Sequence, residues 1–274
     1  MKKIVENIKN SKKYGSVYIK TIERIVADCI VRFGEKRAEN EAKNLLHQIW
    51  GAYYSSRPDF EKILNKIETE AEKLQLNSNL QEVFLQNEHS RSIILPILRL
   101  QSSVQERVGV LEEFYKKIFA ITGIPNSIID HACGLNPLTI PWMSLPSTTT
   151  YKAYDIDEEE IKFLKLALNS IHCATKAEFA LGDVFLDEFE DADVVFMLKL
   201  LPCLEHQKKG SSIEVLKKQN CKYIVVSFPI RSIGGKEKGM VEFYRNSFMF
   251  LVENQGWKIS EILFNTELVF VVEK

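Results

Sequence analysis

The sequence predicts an α/β protein. An all-helical segment over residues 1–122 precedes a Rossmann-like, doubly wound sheet over residues 123–274, with seven strands of which the last is antiparallel. Three observations predict it. Up to Gly123, apolar residues recur at helical spacing with almost no strand signal. Beyond Pro125, short β-rich runs alternate with helical patterns, the layout of parallel strands joined by crossover helices. The first of those runs, Ser127–His131, contains an acid and leads into the small residues Ala132, Cys133 and Gly134 and then Asn136-Pro137, which demands a tight loop.

Taken in order, Ile22, Ile25, Val26, Cys29, Ile30 and Phe33 trace one helical face, and Gly34 ends that helix. Leu45, Leu46, Ile49 and Trp50 form the next face, which runs out at Gly51-Ala-Tyr53-Tyr54 and Arg57-Pro58. His47 and Trp50 share this face with Leu46 and Tyr54, a pattern that suits RNA contacts or, as an aromatic stripe at that spacing, core, and core is the expectation for Trp50. Phe60, Ile63, Leu64 and Ile67 mark a third amphipathic helix, Asn77-Ser-Asn a turn, and Pro96 a kink or a start near Ile93–Leu100. Val110–Ile121 is a further helix, capped by Gly123. Strands are expected at Ser127–His131, Thr150–Asp155, Ala177–Leu181, Asp193–Leu198, Tyr223–Phe228, Trp257–Phe264 and Glu267–Val272. Helices are expected at Glu158–Ile171, Ser212–Gln219 and Met240–Asn254. The short Asn265-Thr266 link makes the final pair a hairpin, hence the antiparallel last strand.

Composition sets the class. The chain has 274 residues, 45% apolar and 27% charged, as a soluble globular protein of one large or two modest cores would. It has no run of eighteen apolar residues, and Met1-Lys-Lys-Ile-Val-Glu lacks a signal-peptide core, so a cytoplasmic protein without a membrane partner is expected. Cys29, Cys133, Cys173, Cys203 and Cys221 are odd in number and lack C-x-x-C spacing, which supports neither a disulfide framework nor a metal site. The net charge of −1 hides an asymmetry: Lys2, Lys3, Lys9, Lys12, Lys13 and Lys20 face the single acid Glu6 within the first twenty residues. That pattern suits a polyanion footprint and, equally, a solvated lysine-rich helix end.

A sheet of this kind takes its ligand at the carboxyl ends of its first strands, where residues 131–137 lie. Past that loop a second run, Tyr151-Lys-Ala-Tyr154, ends in Asp155-Ile156-Asp157, about twenty residues on, an acid placed for ribose hydroxyls. The loop has neither G-x-G-x-x-G nor Gly-Lys-Ser/Thr, so a dinucleotide or P-loop reading fits poorly. S-adenosylmethionine (SAM) carries no phosphate and needs only close backbone approach and acids for its ribose and amino group. Asp157 has a second reading, as the N-cap of the helix begun by Glu158–Glu160.

Several collinear segments carry a resemblance. They are Leu46-His-Gln-Ile-Trp50-Gly-Ala-Tyr53-Tyr54, Ser102-Ser-Val-Gln105-Glu106-Arg107-Val and Asp130-His-Ala-Cys133-Gly-Leu-Asn136-Pro137. Further on come Ala153-Tyr-Asp155-Ile-Asp157, Val195-Phe-Met-Leu-Lys199-Leu-Leu-Pro202, Ser227-Phe-Pro229 through Lys238-Gly239-Met240, and Asn265-Thr-Glu267-Leu-Val. Together they span nearly the whole chain, which resembles the Arm/Rmt family of 16S ribosomal RNA guanine-N7 methyltransferases that confer aminoglycoside resistance. The resemblance implies a SAM-dependent enzyme acting, as a monomer, on a decoding-site guanine of 16S rRNA within the 30S subunit. Three departures stand out. Ala132 replaces the first glycine of the family's Asp-x-Gly-Cys-Gly loop, Gln105 stands where asparagine is common, and Val241 and Phe243 alter the Gly-Met-Glu-Glu-Asn-Tyr segment.

Residue roles follow. For the cofactor, the expected contacts are Ala132, Cys133 and Gly134 in the loop, Asp155 and Ile156 at the ribose, Asp183 and Val184 beside adenine, and Leu198 lining it. Asp130 orders the loop or meets the methionine amine, and the resemblance places Arg107 on the methionine carboxylate. Guanine N7 bears a lone pair and no proton, so its methylation needs alignment and no general base. Accordingly no Asn-Pro-Pro-Tyr-type segment follows the fourth strand; Lys199 stands there, matching a family active-site lysine that can position guanine through O6 or a neighbouring phosphate. Glu267 matches a family acid near the active site. Cys203 lacks the Gly-Pro-Pro-Cys context of a cytosine-C5 nucleophile. Lys12, Lys13 and Lys20, with Arg231, Lys236 and Lys238 in the later segment, are the expected RNA contacts.

Overall fold

The computed structural model describes residues 1–54, 56–75, 88–171, 175–230 and 239–274. Its strands are β1 (Ser127–His131), β2 (Thr150–Asp155), β3 (Lys176–Leu181), β4 (Ala192–Leu198), β5 (Cys221–Pro229), β6 (Lys258–Leu263) and β7 (Glu267–Glu273). Among the described residues these seven form one sheet in the order β3-β2-β1-β4-β5-β7-β6. β1 to β5 pair in parallel, and β7 runs antiparallel between β5 and β6. β4 and β5 are near-continuous apolar runs because helices cover both faces of the sheet. The chain builds outward from β1 to β3, then returns to lay β4 beside β1. That reversal opens a crevice beyond the carboxyl ends of β1 and β4.

Ahead of the sheet lie α1 (Lys2–Lys9), α2 (Ile19–Phe33), α3 (Glu35–Ile49), α4 (Phe60–Gln75), α5 (Glu88–Leu98), α6 (Ser102–Gln105) and α7 (Leu111–Thr122). Within and after it come α8 (Glu158–Ser170), α9 (Leu201–Gln207), α10 (Ser211–Lys218) and α11 (Met240–Val252). Among the elements beyond the expected set are α9 and a 3-10 stretch at Asn136–Trp142. Each opens on a proline, which suits a helix start, and each is too short to display a period. Pro96 sits inside α5, while the expected turn at Asn77-Ser-Asn lies outside the described residues.

The expected division at 122/123 marks where strands begin, not where the core divides. Ile67 of α4, Ile94 of α5, and Phe114, Tyr115 and Ile118 of α7 share one core with Ile128, Tyr151 and Phe196 of the sheet. A sheet of apolar strands must be covered on both faces, and these helices are that cover. The separate core belongs to α1–α3 and its flanks, where Ile8, Val17, Ile22, Ile25 and Leu46 are wholly buried. Backbone contacts stitch this small lobe to the end of β2. Val17 forms an antiparallel bridge with Asp157, Tyr18 N–H donates to Ile156 O at 2.7 Å, and Glu158 N–H donates to Ser16 O at 2.8 Å. The lobe therefore hangs over the end of β2, above the crevice. Among the described residues no helix is long and apolar enough to cross a membrane.

Candidate active site

Beneath the lobe lies a cleft with about 840 Å³ of space, part of it open to solvent. Of the residues expected at the site, Ala132, Gly134, Asp155, Ile156, Asp183, Val184, Leu198 and Lys199 line it. They arrive from the ends of β1, β2, β3 and β4, as the sheet reversal requires.

The loop after β1 is tight. Ala132 and Gly134 both lie in the left-handed region, at φ 50° and 51°. A Cβ on Gly134 would collide with the Gln101 amide. Gly134 N–H donates to Asp155 Oδ2 at 3.0 Å and Asp157 N–H to Oδ1 at 3.1 Å, so Asp155 ties the loop to the start of α8. Burial pushes the Asp155 carboxyl up to about 6. Alanine resists the left-handed conformation that Ala132 adopts. Ala132→Gly is therefore expected to leave the fold intact and relieve backbone strain, partly offset by glycine's greater freedom when unfolded, with a net change of about 1 kcal/mol or less. Urea denaturation checks this; a loss above about 2 kcal/mol would show that the alanine methyl is itself needed.

Four expected site residues stand behind the cleft wall instead of in it: Asp130, Cys133, Arg107 and Glu267. All are buried, and three of them join a continuous chain of polar contacts. Asp130 Oδ2 accepts the Tyr151 hydroxyl at 2.5 Å and Asn136 Nδ2 at 2.8 Å. Asn136 Oδ1 accepts Arg107 Nη1 at 2.7 Å. Arg107 then grips Glu267 with two prongs, Nε at 2.9 Å and Nη2 at 2.7 Å. Glu267 Oε1 accepts Ser227 Oγ at 2.5 Å, and Ser227 Oγ accepts the Lys199 backbone N–H at 3.1 Å. The chain thus links the loop after β1 to the loop after β4. Arg107, expected on a methionine carboxylate, has its guanidinium engaged by Glu267 and Asn136. Glu267, expected near the active site, contacts Ser227, whose Oγ accepts the Lys199 backbone N–H. Burial pushes the Asp130 carboxyl up to about 7 and raises the Cys133 thiol well above its usual range, so Cys133 is a packing residue.

Lys199 is the second non-glycine residue at positive φ in the cleft, at 57°. Such strain costs about 1–3 kcal/mol and persists where surroundings over-determine it, here through Ser227. Its ammonium is 6% exposed, donates to Ser103 O at 3.0 Å and pairs with the Glu106 carboxylate. Nearby, Cys203 Sγ meets the Tyr53 hydroxyl at 2.6 Å, and burial raises its thiol, which opposes a nucleophilic role.

The lobe completes the cleft. Asp183 Oδ2 accepts Thr21 Oγ1 at 2.7 Å and Arg24 at 2.9 Å, while its Oδ1 accepts Phe185 N–H. Arg24 also stacks on Phe185, 4.3 Å from the ring centre. Asp157 caps α8 through Glu159 and Glu160 N–H, and it further accepts Trp50 Nε1 at 2.9 Å and the Arg57 guanidinium. Trp50 belongs to the lobe core and lines the cleft as well, whereas His47 is exposed. Thr21, Arg24, Tyr53, Tyr54, Gln101 and Glu160 line the cleft without having been expected there. Their partners lie far away in sequence, and Tyr53 and Tyr54 carried a signal only as part of the segment Leu46–Tyr54.

Lys12 and Lys13 are exposed in the turn between α1 and α2, with Lys13 Nζ 3.4 Å from His47 Nδ1. Lys20 pairs with Asp187 at 3.3 Å. Arg231, Lys236 and Lys238 lie outside the described residues.

Fold and cleft together are of the Rossmann-like methyltransferase class, roofed by a helical lobe. Residues 10–271 match the family model described as Ribosomal RNA methyltransferase (FmrO), and the chain belongs to that family. A relative from Micromonospora rosea named 16S rRNA (guanine(1405)-N(7))-methyltransferase is 34% identical over 271 residues, covering 97% of this chain and 94% of its own. A protein of the same name from Proteus mirabilis is 29% identical over 276 residues, covering 100% and 97%. Among solved structures, the 16S rRNA methyltransferase RmtF in complex with S-adenosyl-L-homocysteine aligns with a TM-score of 0.76 at 25% identity, covering 100% of this chain and 97% of that one. The 16S rRNA methylase ArmA aligns with a TM-score of 0.57 at 28% identity, covering 80% and 99%.

Proposed function

We propose that this protein transfers the methyl group of SAM to N7 of a decoding-site guanine of 16S rRNA, acting as a cytoplasmic monomer on the 30S subunit and conferring aminoglycoside resistance. The observation that carries this reading is a single cleft holding the left-handed loop, the buried acid Asp155 and the ammonium of Lys199. The donors present fit SAM. Gly134 leaves no room for a side chain, and each Asp155 oxygen accepts one backbone N–H with a lone pair to spare for a ribose hydroxyl. Ala132, Gly134, Asp155, Ile156, Asp183, Val184 and Leu198 would hold the cofactor, which when bound supplies an electrophilic methyl on a sulfonium.

The chain's own residues then have one task, alignment. Guanine N7 is an exposed lone pair on the major-groove edge and loses no proton, so no base is required of the site. Lys199 holds guanine through O6, with Glu106 aiming the ammonium. The lobe excludes water above Asp183, and the flipped nucleotide enters beside Lys199. Docking falls to the exposed Lys12 and Lys13 on rRNA phosphates.

The Lys12→Glu, Lys13→Glu double variant tests the docking arm. Its 30S affinity is expected to drop, with the log–log salt slope shallower by roughly 0.7–0.9 per lost phosphate contact, while calorimetry finds SAM affinity unchanged. Unaltered 30S affinity and slope would make these lysines a merely solvated surface.

A further inference from the structure

Glu160 has no role in the account above, yet its setting calls for one. It sits in the first turn of α8, is 1% exposed, and lines the cleft together with Asp155 and Ile156. Its Oε2 accepts the Tyr54 hydroxyl. Its Oε1 is buried and has no hydrogen-bond partner among the described residues. A buried polar oxygen without a partner is costly, and such atoms are few in folded proteins.

The carboxyl is not free to turn away and satisfy itself. Tyr54 is held from behind by Gln101 Nε2 at 3.2 Å, and Gln101 Oε1 in turn accepts Leu135 N–H at 2.8 Å. Asp157, whose backbone begins the same turn, is saturated by Arg57, Trp50 and the helix N–H groups. Glu160 is therefore clamped with one oxygen spent on the lobe and the other unspent. Burial, followed by the neighbouring Asp155 and Asp157 charges, raises its pKa well above the usual range, with Tyr54 and Arg57 opposing. A ribose hydroxyl can donate to a carboxylate oxygen that is left without a partner.

A ribose offers two adjacent hydroxyls, and Asp155 is already half used: both its oxygens accept backbone N–H groups. We propose that Glu160 is a second ribose-binding group of the cleft, its Oε1 hydrogen-bonding one hydroxyl of the diol while Asp155 takes the other. This rests on the reading of the cleft as a SAM site. It makes α8 a direct part of nucleoside recognition, and it makes Tyr54 a positioning residue that connects the lobe to the ribose.

Calorimetric titration with S-adenosyl-L-homocysteine and its 2′-deoxy and 3′-deoxy analogues tests the proposal. In the wild-type protein each missing hydroxyl is expected to weaken binding, by roughly fivefold to tenfold. In Glu160→Ala the parent ligand should bind about that much more weakly, and one of the two deoxy penalties should vanish while the other persists. Glu160→Asp, which withdraws the carboxyl by one methylene and keeps its chemistry, should lose the same penalty and serves if the alanine variant fails to fold. Both deoxy penalties surviving intact in a folded variant would overturn the proposal. So would a variant defect that persists equally with both deoxy ligands, since it would then come from elsewhere on the nucleoside or its amino-acid tail. No binding of S-adenosyl-L-homocysteine to the wild-type protein would instead remove the SAM reading itself.

Discussion

Glu267→Ala is expected to destabilise the protein by about 3–5 kcal/mol, because it leaves the Arg107 guanidinium buried without its counter-charge. Arg107 is 1% exposed and Glu267 is fully buried, and the two share a bidentate contact. Burial works to raise the Glu267 carboxyl, but Arg107 and then Lys199 outweigh it and hold the group below its ordinary range. A depressed folded-state value means that the stabilisation is complete above the unfolded value of about 4.3 and is lost as pH falls below it. Chemical denaturation at pH 7 and at pH 3 measures both effects. A cost under about 1 kcal/mol at pH 7, or a wild-type to variant gap that does not shrink at pH 3, would contradict the assignment. Because Glu267 reaches Lys199 through Ser227, the milder Glu267→Gln variant should also lose methyl transfer at temperatures where it remains folded.

Lys199→Ala is expected to abolish most methyl transfer with little else changed. Lys199 lies at the end of β4, strained and braced, with its ammonium on Glu106 and Ser103. SAM affinity and 30S docking should stay near normal. Turnover should fall on the order of a hundredfold, the effect of misplacing a reacting atom by about 1 Å. Single-turnover methyl transfer to 30S subunits reads the effect directly, and bacteria expressing the variant should regain aminoglycoside sensitivity. Full turnover in a folded Lys199→Ala protein would remove its positioning role.

The sheet was legible because its strands are short apolar runs that alternate with helical patterns. β1 and β2 begin and end where Ser127, His131, Thr150 and Asp155 predicted, and α8 begins where the Asp157 cap placed it. Ala132 stood out in the sequence as the position where the loop departs from the glycine of the family it resembles, but its left-handed backbone appears only in the structure. What stayed hidden was partnership. Arg107 finds Glu267 across 160 residues and Tyr54 finds Glu160 across 106, and local spacing carries no trace of such pairs. The sequence therefore marked Arg107, Asp130 and Glu267 as chemically important but could not distinguish lining the cleft from bracing its wall. Thr21 and Arg24 were missed for a related reason: only the docking of α2 over Asp183 makes them part of the site.

The central claim is methyl transfer from SAM to guanine N7 of 16S rRNA, and chemical mapping of the product tests it most directly. 30S subunits are incubated with the protein and SAM, and the rRNA is reduced and cleaved at 7-methylguanine by aniline before primer extension. The account predicts one new SAM-dependent stop in the decoding region, lost with Lys199→Ala. Methylation at an adenine, at a carbon or exocyclic nitrogen, or no transfer to 30S subunits by a protein that binds SAM, would contradict it.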